Sequence, residues 1–413
     1  MNDEVQAMCP EISGCFAAPP GSWKSLVIVS KKKSMAIVRA SKPNLAELSV
    51  YRCFMEHFEL TFFFSGSDPQ ECRTQLEAFG LGDMKTVRYK CVSDLFPSQF
   101  IRRGLDYKIG IGSYMLNHVG DVLTHDYINV VDPAFGYTHQ ISSRIRPSQK
   151  LIIVRWENIY GRYKLIWMAA RRADSVLKRA DTIICVSQAG VSTLQLPPDF
   201  AGKIVQVYPG IDMRGVPTNG SRKAGQNGSS AGDRRPVVLF VGRLQWTKGL
   251  QTLLAAMSIL RQREQLDADL WVIGGGDKSP FEALARELGL EERVLFLGTL
   301  SNADVRAKMA KADLFCFPSL ISPNWMEQYG FAVVEAMAQG LPVVVFDSGS
   351  IREVCGDDAV YASTGNAHSL AEGIARIMNN SGDSVVRGKR LQERAFREFD
   401  ADVQGRKMLA AIL

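Results

Sequence analysis

The chain has little of what several special architectures need. No apolar run approaches the roughly 18–20 residues of a membrane-spanning helix; runs such as Leu151–Val154 and Val343–Phe346 are strand-sized. A transmembrane protein is therefore not expected. The eight cysteines (Cys9, Cys15, Cys53, Cys72, Cys91, Cys185, Cys316, Cys355) contain no C-x-x-C pair, and the five histidines (His57, His118, His125, His139, His368) show no metal-type spacing. A disulfide framework and a metal site are not expected. Asp3 and Glu4 stand where a secretory signal needs positive charge, and Pro10, Glu11, Pro19 and Pro20 interrupt its apolar segment. Export is thus not expected, the location reads as cytoplasmic, and residues 1–33 read as a loosely ordered extension. The G-x-G-x-x-G fingerprint is missing too, which disfavours a nicotinamide dehydrogenase.

What is there is 413 residues, 46% of them hydrophobic, enough for two cores. Short β-rich runs alternate with helical patterns, which predicts an α/β fold of parallel sheets built from βαβ units. In the first half the strand candidates are Leu26–Val29, Met35–Val38, Leu60–Phe64, Thr86–Tyr89, Asp121–Thr124, Leu151–Val154, Thr182–Val186 and Ile204–Val207. A helix is predicted over Asn44–Phe58, where Leu45, Leu48, Tyr51, Met55 and Phe58 recur at steps of three and four. Residues 216–235 are polar and rich in Gly and Ser, which marks a flexible linker. They separate a Rossmann-like domain over 34–215 from a second over 236–385, in which six strands alternate with helices. A C-terminal helical segment spans 386–413. Such a pair of domains places the active site in the cleft between the carboxyl ends of both sheets.

Net charge is +6, and all of the excess lies early: residues 1–215 hold 26 Lys/Arg against 20 Asp/Glu, the remainder 23 of each. Much of it falls between Arg144 and Arg179. A field of that sign attracts phosphates, whether of nucleic acid, lipid headgroups or a diphosphate-linked substrate. The segment Tyr163–Ala180 interleaves apolar and basic residues, which fits either an anionic membrane surface or a helix packing its apolar side on the sheet.

The chemistry-bearing residues cluster later. In Val241-Gly-Arg-Leu-Gln-Trp-Thr-Lys-Gly249, Gly242 lets the chain turn, Arg243 presents a fork for phosphate oxygens and Lys248 adds a point charge at the start of a helix. This reads as a diphosphate clamp, or as a basic solvated turn. Ile273-Gly-Gly-Gly-Asp277 allows close approach to backbone, as does any tight strand-to-helix turn. Glu327 precedes, and Glu335 lies on, a helix starting at Gly330-Phe331. Two carboxylates beside an anion-binding helix terminus suit a ligand with phosphates in the middle and hydroxyl-bearing sugars at its ends. The plainer alternative makes Glu327 a helix cap and Glu335 a solvated surface residue.

Gly242-Arg243-Leu244 with Lys248-Gly249, Glu327 and Glu335 eight apart, and Glu335-Ala-Met-Ala-Gln-Gly-Leu-Pro-Val-Val344 resemble the retaining GT-B glycosyltransferases of family four (glycosyl transferases group one). Val207-Tyr-Pro-Gly-Ile-Asp212 and Ser348-Gly-Ser-Ile-Arg-Glu-Val354 resemble their counterparts there, so that roughly residues 180–362 are covered. The resemblance implies a GT-B fold of two Rossmann-like domains facing each other, a C-terminal helix crossing back to the first, and transfer of a sugar from a nucleoside diphosphate sugar to an acceptor hydroxyl. It implies that Arg243 and Lys248 bind the donor diphosphate, that Glu335 binds the ribose and that Glu327 contacts the transferred sugar. Gly275, Leu300, Tyr329, Gly330 and Phe331 complete the donor side. No metal or other cofactor is implied.

The first half departs from that family. Arg39-Ala-Ser-Lys-Pro-Asn44 stands where relatives have a glycine-rich loop, and Val154-Arg-Trp-Glu-Asn158 where they often carry a histidine. The acceptor-side candidates are Lys42, His125 and Glu157; an ion-paired structural glutamate and a satisfied buried histidine are the plainer readings of the last two. A sugar-nucleotide epimerase on the same fold and a nucleic-acid-binding protein are the rivals. The paired glutamates weigh against the first, and the lack of any nucleic-acid motif against the second. A lipid-linked acceptor met at the inner face of a membrane, within polysaccharide or glycolipid biosynthesis, would suit the basic segment.

Overall fold

In the computed structural model, residues 32–40, 45–98, 101–102, 104–105, 111–159, 167–194, 198–217 and 234–413 are described. Two parallel sheets organise them. The first has seven strands: β1 (Lys33–Arg39), β2 (Phe58–Phe64), β3 (Lys85–Arg88), β4 (Tyr127–Val131), β5 (Lys150–Arg155), β6 (Thr182–Cys185) and β7 (Ile204–Gln206), in the order β3-β2-β1-β4-β5-β6-β7. The second has six: β8 (Val237–Val241), β9 (Asp269–Ile273), β10 (Val294–Gly298), β11 (Leu314–Phe317), β12 (Val343–Phe346) and β13 (Val360–Ala362), in the order β10-β9-β8-β11-β12-β13. This is the two-domain Rossmann-like α/β arrangement expected.

Because successive strand residues point to opposite faces, each sheet feeds two cores. Met35 and Ile37 of β1 enter one core, Ala36 and Val38 the other. Val237 and Leu239 of β8 divide in the same way from Val238 and Phe240. Helices therefore cover both sides. Each strand order reverses between its first and fourth strands, at β1/β4 and at β8/β11, and there the loops leaving the carboxyl ends diverge to open a crevice.

Three local expectations are corrected. Asp121–Thr124 is no strand: Val119–Val122 is a short helix, and the strand is Tyr127–Val131. The helix expected over Asn44–Phe58 is a 3-10 helix, Leu45–Glu56. Lys33, assigned to the extension, already belongs to β1. The strand expected at Leu26–Val29 lies outside the described residues.

The end of the chain joins the two halves. Helix Ser381–Phe399 lies on helix Phe331–Ala338, with the Gln392 amide donating to Ala338 O at 2.7 Å. Helix Ala401–Ile412 lies instead on the 3-10 helix Leu45–Glu56, so the crossing falls at Asp400–Ala401 rather than at 386. Asp400 caps the last helix by accepting from Asp402 N at 2.9 Å and Val403 N at 3.1 Å. Ile211 pins the crossing through its backbone, donating to Phe399 O at 2.8 Å and accepting from Ala401 N at 3.0 Å. Among the described residues no helix is long and apolar enough to cross a membrane.

Candidate active site

The loops after β8 and β11 flank the switch point of the second sheet, and they bring Lys248 and Glu327 together. Lys248 ends the 3-10 turn Trp246–Lys248, and Gly249 follows at φ 75°. A Cβ at Gly249 would lie 1.8 Å from Pro318 O, so only glycine lets this turn pass so close to the β11 loop. The Lys248 ammonium is then 2.6 Å from Glu327 Oε2, with both side chains buried. The Ser319 hydroxyl donates to the same oxygen at 3.0 Å. The rings of Trp325 and Phe317 enclose the ammonium at 4.8 and 5.2 Å.

Glu327 is held by its backbone as firmly as by its side chain. Its N–H donates to Ser348 Oγ at 3.3 Å, and its carbonyl accepts from Ser350 N at 3.2 Å and from Asn158 Nδ2 at 2.7 Å. Gly349 lets the β12 loop approach, since a Cβ there would stand 2.0 Å from Glu327 O. Glu327 therefore caps no helix. The cap of helix Phe331–Ala338 is Gly330, at φ 84° and three residues after Glu327, and no side chain caps the helix's first turn.

Arg243 is exposed on the loop after β8; its carbonyl accepts from Gln245 N at 2.8 Å, and its guanidinium makes no hydrogen bond or ion pair among the described residues. Its loop is fixed to the glycine run, with Leu244 N donating to Gly275 O at 2.9 Å, and Gly274 N donating to Gly298 O at 2.8 Å. Gly275 thus lies beside Arg243. Leu300, partly buried, packs at the edge of the core behind them. Glu335 is not a freely solvated surface residue. It is partly buried, and burial pushes its carboxyl from the ordinary 4.5 up to about 7, with Arg306 opposing. Tyr329, fully buried, stacks on Tyr208 with centroids 6.2 Å apart, and Phe331 meets Trp156 at 5.8 Å.

The acceptor-side candidates scatter. Lys42 lies outside the described residues. His125 precedes β4 at its amino end, opposite to the crevice, where its Nε2 sits 3.0 Å from Thr61 Oγ1 and its ring meets Phe63 edge-on. A strand over Asp121–Thr124 would have put His125 just past a carboxyl end, but that segment is helical and the strand follows His125. Glu157 does leave the carboxyl end of β5, but it is buried and accepts from Ile159 N at 2.8 Å. Its neighbour Asn158, named only as part of a departure from pattern, is the one that reaches Glu327. Ser319, Ser348 and Trp325 also escaped sequence reasoning, and only the quoted Ser348–Val354 stretch hinted at one of them. Across the crevice Glu353 accepts from Gln188 N at 2.7 Å. Among the described residues no group of His, Cys, Asp or Glu is arranged to hold a metal ion.

Comparison with known proteins points one way. Residues 222–396 match the family model described as glycosyl transferases group 1. A D-inositol 3-phosphate glycosyltransferase of Salinispora tropica is 31% identical over 246 residues, 55% of this chain and 50% of that protein. A phosphatidyl-myo-inositol mannosyltransferase of Mycobacterium leprae is 34% identical over 146 residues, 35% of this chain and 37% of that protein. An uncharacterized glycosyltransferase of Methanocaldococcus jannaschii is 32% identical over 153 residues, 36% of this chain and 37% of that protein. The chain thus spans between about a third and a half of the length of these curated relatives. Among solved structures, HepE of Anabaena in complex with UDP and glucose superposes with a TM-score of 0.66 at 19% identity, over 92% of this chain and 98% of that one. WaaG, involved in lipopolysaccharide biosynthesis, gives 0.62 at 17% identity, over 92% and 99%. These two likenesses establish the GT-B fold.

Proposed function

We propose that this chain, whose residues 222–396 match the family model of glycosyl transferases group 1, transfers a sugar, with retention of configuration, from a nucleoside diphosphate sugar to an acceptor hydroxyl. The observation that carries this reading is the buried Lys248–Glu327 pair at the β8/β11 switch point, beside the amino end of helix Phe331–Ala338 and the unpaired Arg243. Positive groups and amides converge there on one side of a crevice, which suits a diphosphate, while Glu327 and Glu335 suit hydroxyl donors at its two ends.

In the reaction the bond from the anomeric carbon to the β-phosphate oxygen breaks. A bond from that carbon to the acceptor oxygen forms on the same face, and the acceptor proton passes to the departing phosphate oxygen. Arg243, Lys248 and the helix amides stabilise the charge that grows on the diphosphate, a contribution of about 3 kcal/mol per well-placed donor. That positive potential is supplied by the chain itself, so the reading assigns no metal; unchanged turnover in EDTA checks this.

Relatives named for inositol phosphate and phosphatidylinositol acceptors make inositol-containing polyols, free and lipid-linked, the first acceptors to try. The lipid-linked case carries with it peripheral contact between the basic first half and an anionic membrane, and a cytoplasmic location at its inner face. The decisive experiment offers UDP- and GDP-sugars with these polyols and reads the product's anomeric configuration by NMR. An inverted product, or an altered sugar nucleotide formed with no acceptor present, overturns the proposal.

A further inference from the structure

Glu327 is held by groups of the second half on every side but one. Its carboxylate is fixed by Lys248 and Ser319, its N–H by Ser348 and one lone pair of its carbonyl by Ser350. The remaining bond, Asn158 Nδ2 to Glu327 O at 2.7 Å, comes from the first half. The amide orientation is chemically determined, because a carbonyl oxygen only accepts and Nδ2 must face it. Asn158 is itself presented rigidly. Trp156 N donates to Asp132 Oδ1 at 3.1 Å, the Trp156 ring rests on Phe331, and Glu157 closes the turn by accepting from Ile159 N at 2.8 Å.

The other end of the same amide is anomalous. Asn158 is 2% exposed, yet its Oδ1 is buried with no hydrogen-bond partner among the described residues. An unsatisfied buried carbonyl destabilises the fold, and a side chain of similar size without polar atoms would remove that penalty. Glu327 O would keep its bond from Ser350 N in either case. A purely structural position would favour the apolar residue.

We infer that Asn158 is a positioning residue: from the acceptor-side half it sets the Glu327 loop of the donor site, so that this carboxylate is correctly placed only while the two halves are together. The inference rests on the donor-site reading of Glu327 given above. Asn158 acts through the Glu327 backbone and not on substrate, so its loss is expected to slow turnover while leaving nucleotide affinity alone. Misplacement of a reacting constellation by about 1 Å is enough for a roughly 100-fold loss.

The test compares the full chain with Asn158→Leu and Asn158→Ala. Hydrogen exchange without ligand is read first, at the amides of Glu327 and Ser350, and both variants are expected to exchange faster there, with the melting temperature of Asn158→Leu equal to or above that of the parent. UDP and GDP affinities are then measured with UDP-glucose and GDP-mannose turnover, followed as nucleoside diphosphate release. The expected result is nucleotide affinity within about twofold of the parent and turnover about 100-fold lower. Unchanged exchange at Glu327 overturns the inference whether or not any nucleotide binds, as does turnover that equals the parent's or falls only in step with nucleotide affinity or melting temperature. A parent chain that binds neither nucleotide, with exchange responding as expected, overturns the donor-site reading and leaves the loop coupling standing.

Discussion

The ammonium of Lys248 and the carboxylate of Glu327 lie 2.6 Å apart and almost completely enclosed. Two opposite charges out of water hold each other, and removal of either leaves the other buried alone. Lys248→Ala is therefore expected to destabilise the protein by about 3–5 kcal/mol as well as to weaken UDP or GDP binding. Lys248→Met combined with Glu327→Gln should recover most of that stability without recovering activity. Chemical denaturation of the parent, single and double variants checks it; a single variant as stable as the parent would show that the pair is not sealed from solvent.

Glu335 makes stability depend on pH in a direction unusual for a carboxylate. Its folded carboxyl titrates at about 7 against an ordinary 4.5, so between those values the folded state binds more protons than the unfolded one. Stability contributed at Glu335 is then present at low pH and declines as pH rises through about 7. Glu335→Gln should flatten that part of the curve and raise the melting temperature of the unliganded chain at pH 8. If the ionised carboxylate accepts from ribose hydroxyls, nucleotide affinity should strengthen over the same range in the parent only. Melting curves and calorimetric titrations from pH 5 to 8 read both.

The approach of the β12 loop to Glu327 depends on Gly349, at φ 60° and with no room for a Cβ. Gly349→Ala should push the Glu327 carbonyl away from Asn158 and Ser350 and cost of the order of 1–3 kcal/mol, through strain and displaced packing. Turnover of a donor sugar should fall further than stability does. A crystal structure of the variant with the Glu327 loop unmoved would contradict this.

Much of the second half was legible because its strands are nearly continuous apolar, β-rich runs bounded by Gly, Pro or charge, and their parallel, doubly covered setting demands such runs. Val237–Val241 and Leu314–Phe317 need no tertiary context to be recognised. In the first half Val122-Leu123-Thr124 reads as strand by the same rule, yet it belongs to a helical turn and its end, and Tyr127–Val131 takes the place beside β1. Local propensity over three residues is too weak to resist packing. The 3-10 winding of Leu45–Glu56 is equally invisible, since apolar steps of three and four serve either helix. At the candidate site, Arg243, Lys248, Glu327 and Glu335 are singled out by short motifs that resemble a known family. Ser319 and Asn158 are not, because what matters is which loop meets which, and Asn158 is 169 residues from the carbonyl it contacts.

Docking of the last helix hinges on Gly405, where a Cβ would stand 2.3 Å from Val50 O. Gly405→Val should lift helix Ala401–Ile412 from Leu45–Glu56, with a lower melting temperature and faster proteolysis between Phe399 and Asp402. Asp400→Ala, which removes only the cap, should cost about 1 kcal/mol and leave the helix docked. Proteolysis of the two variants side by side separates the cases.

That final helix also sets a timetable. A ribosome delivers β1 to β7 long before residue 401 exists, so the earlier sheet must wait, with Val50 and its neighbours uncovered, until residues 401–412 have been made. Nascent chains stalled short of this point would present that uncovered patch to chaperones, and termination ahead of residue 401 would injure the half synthesised first.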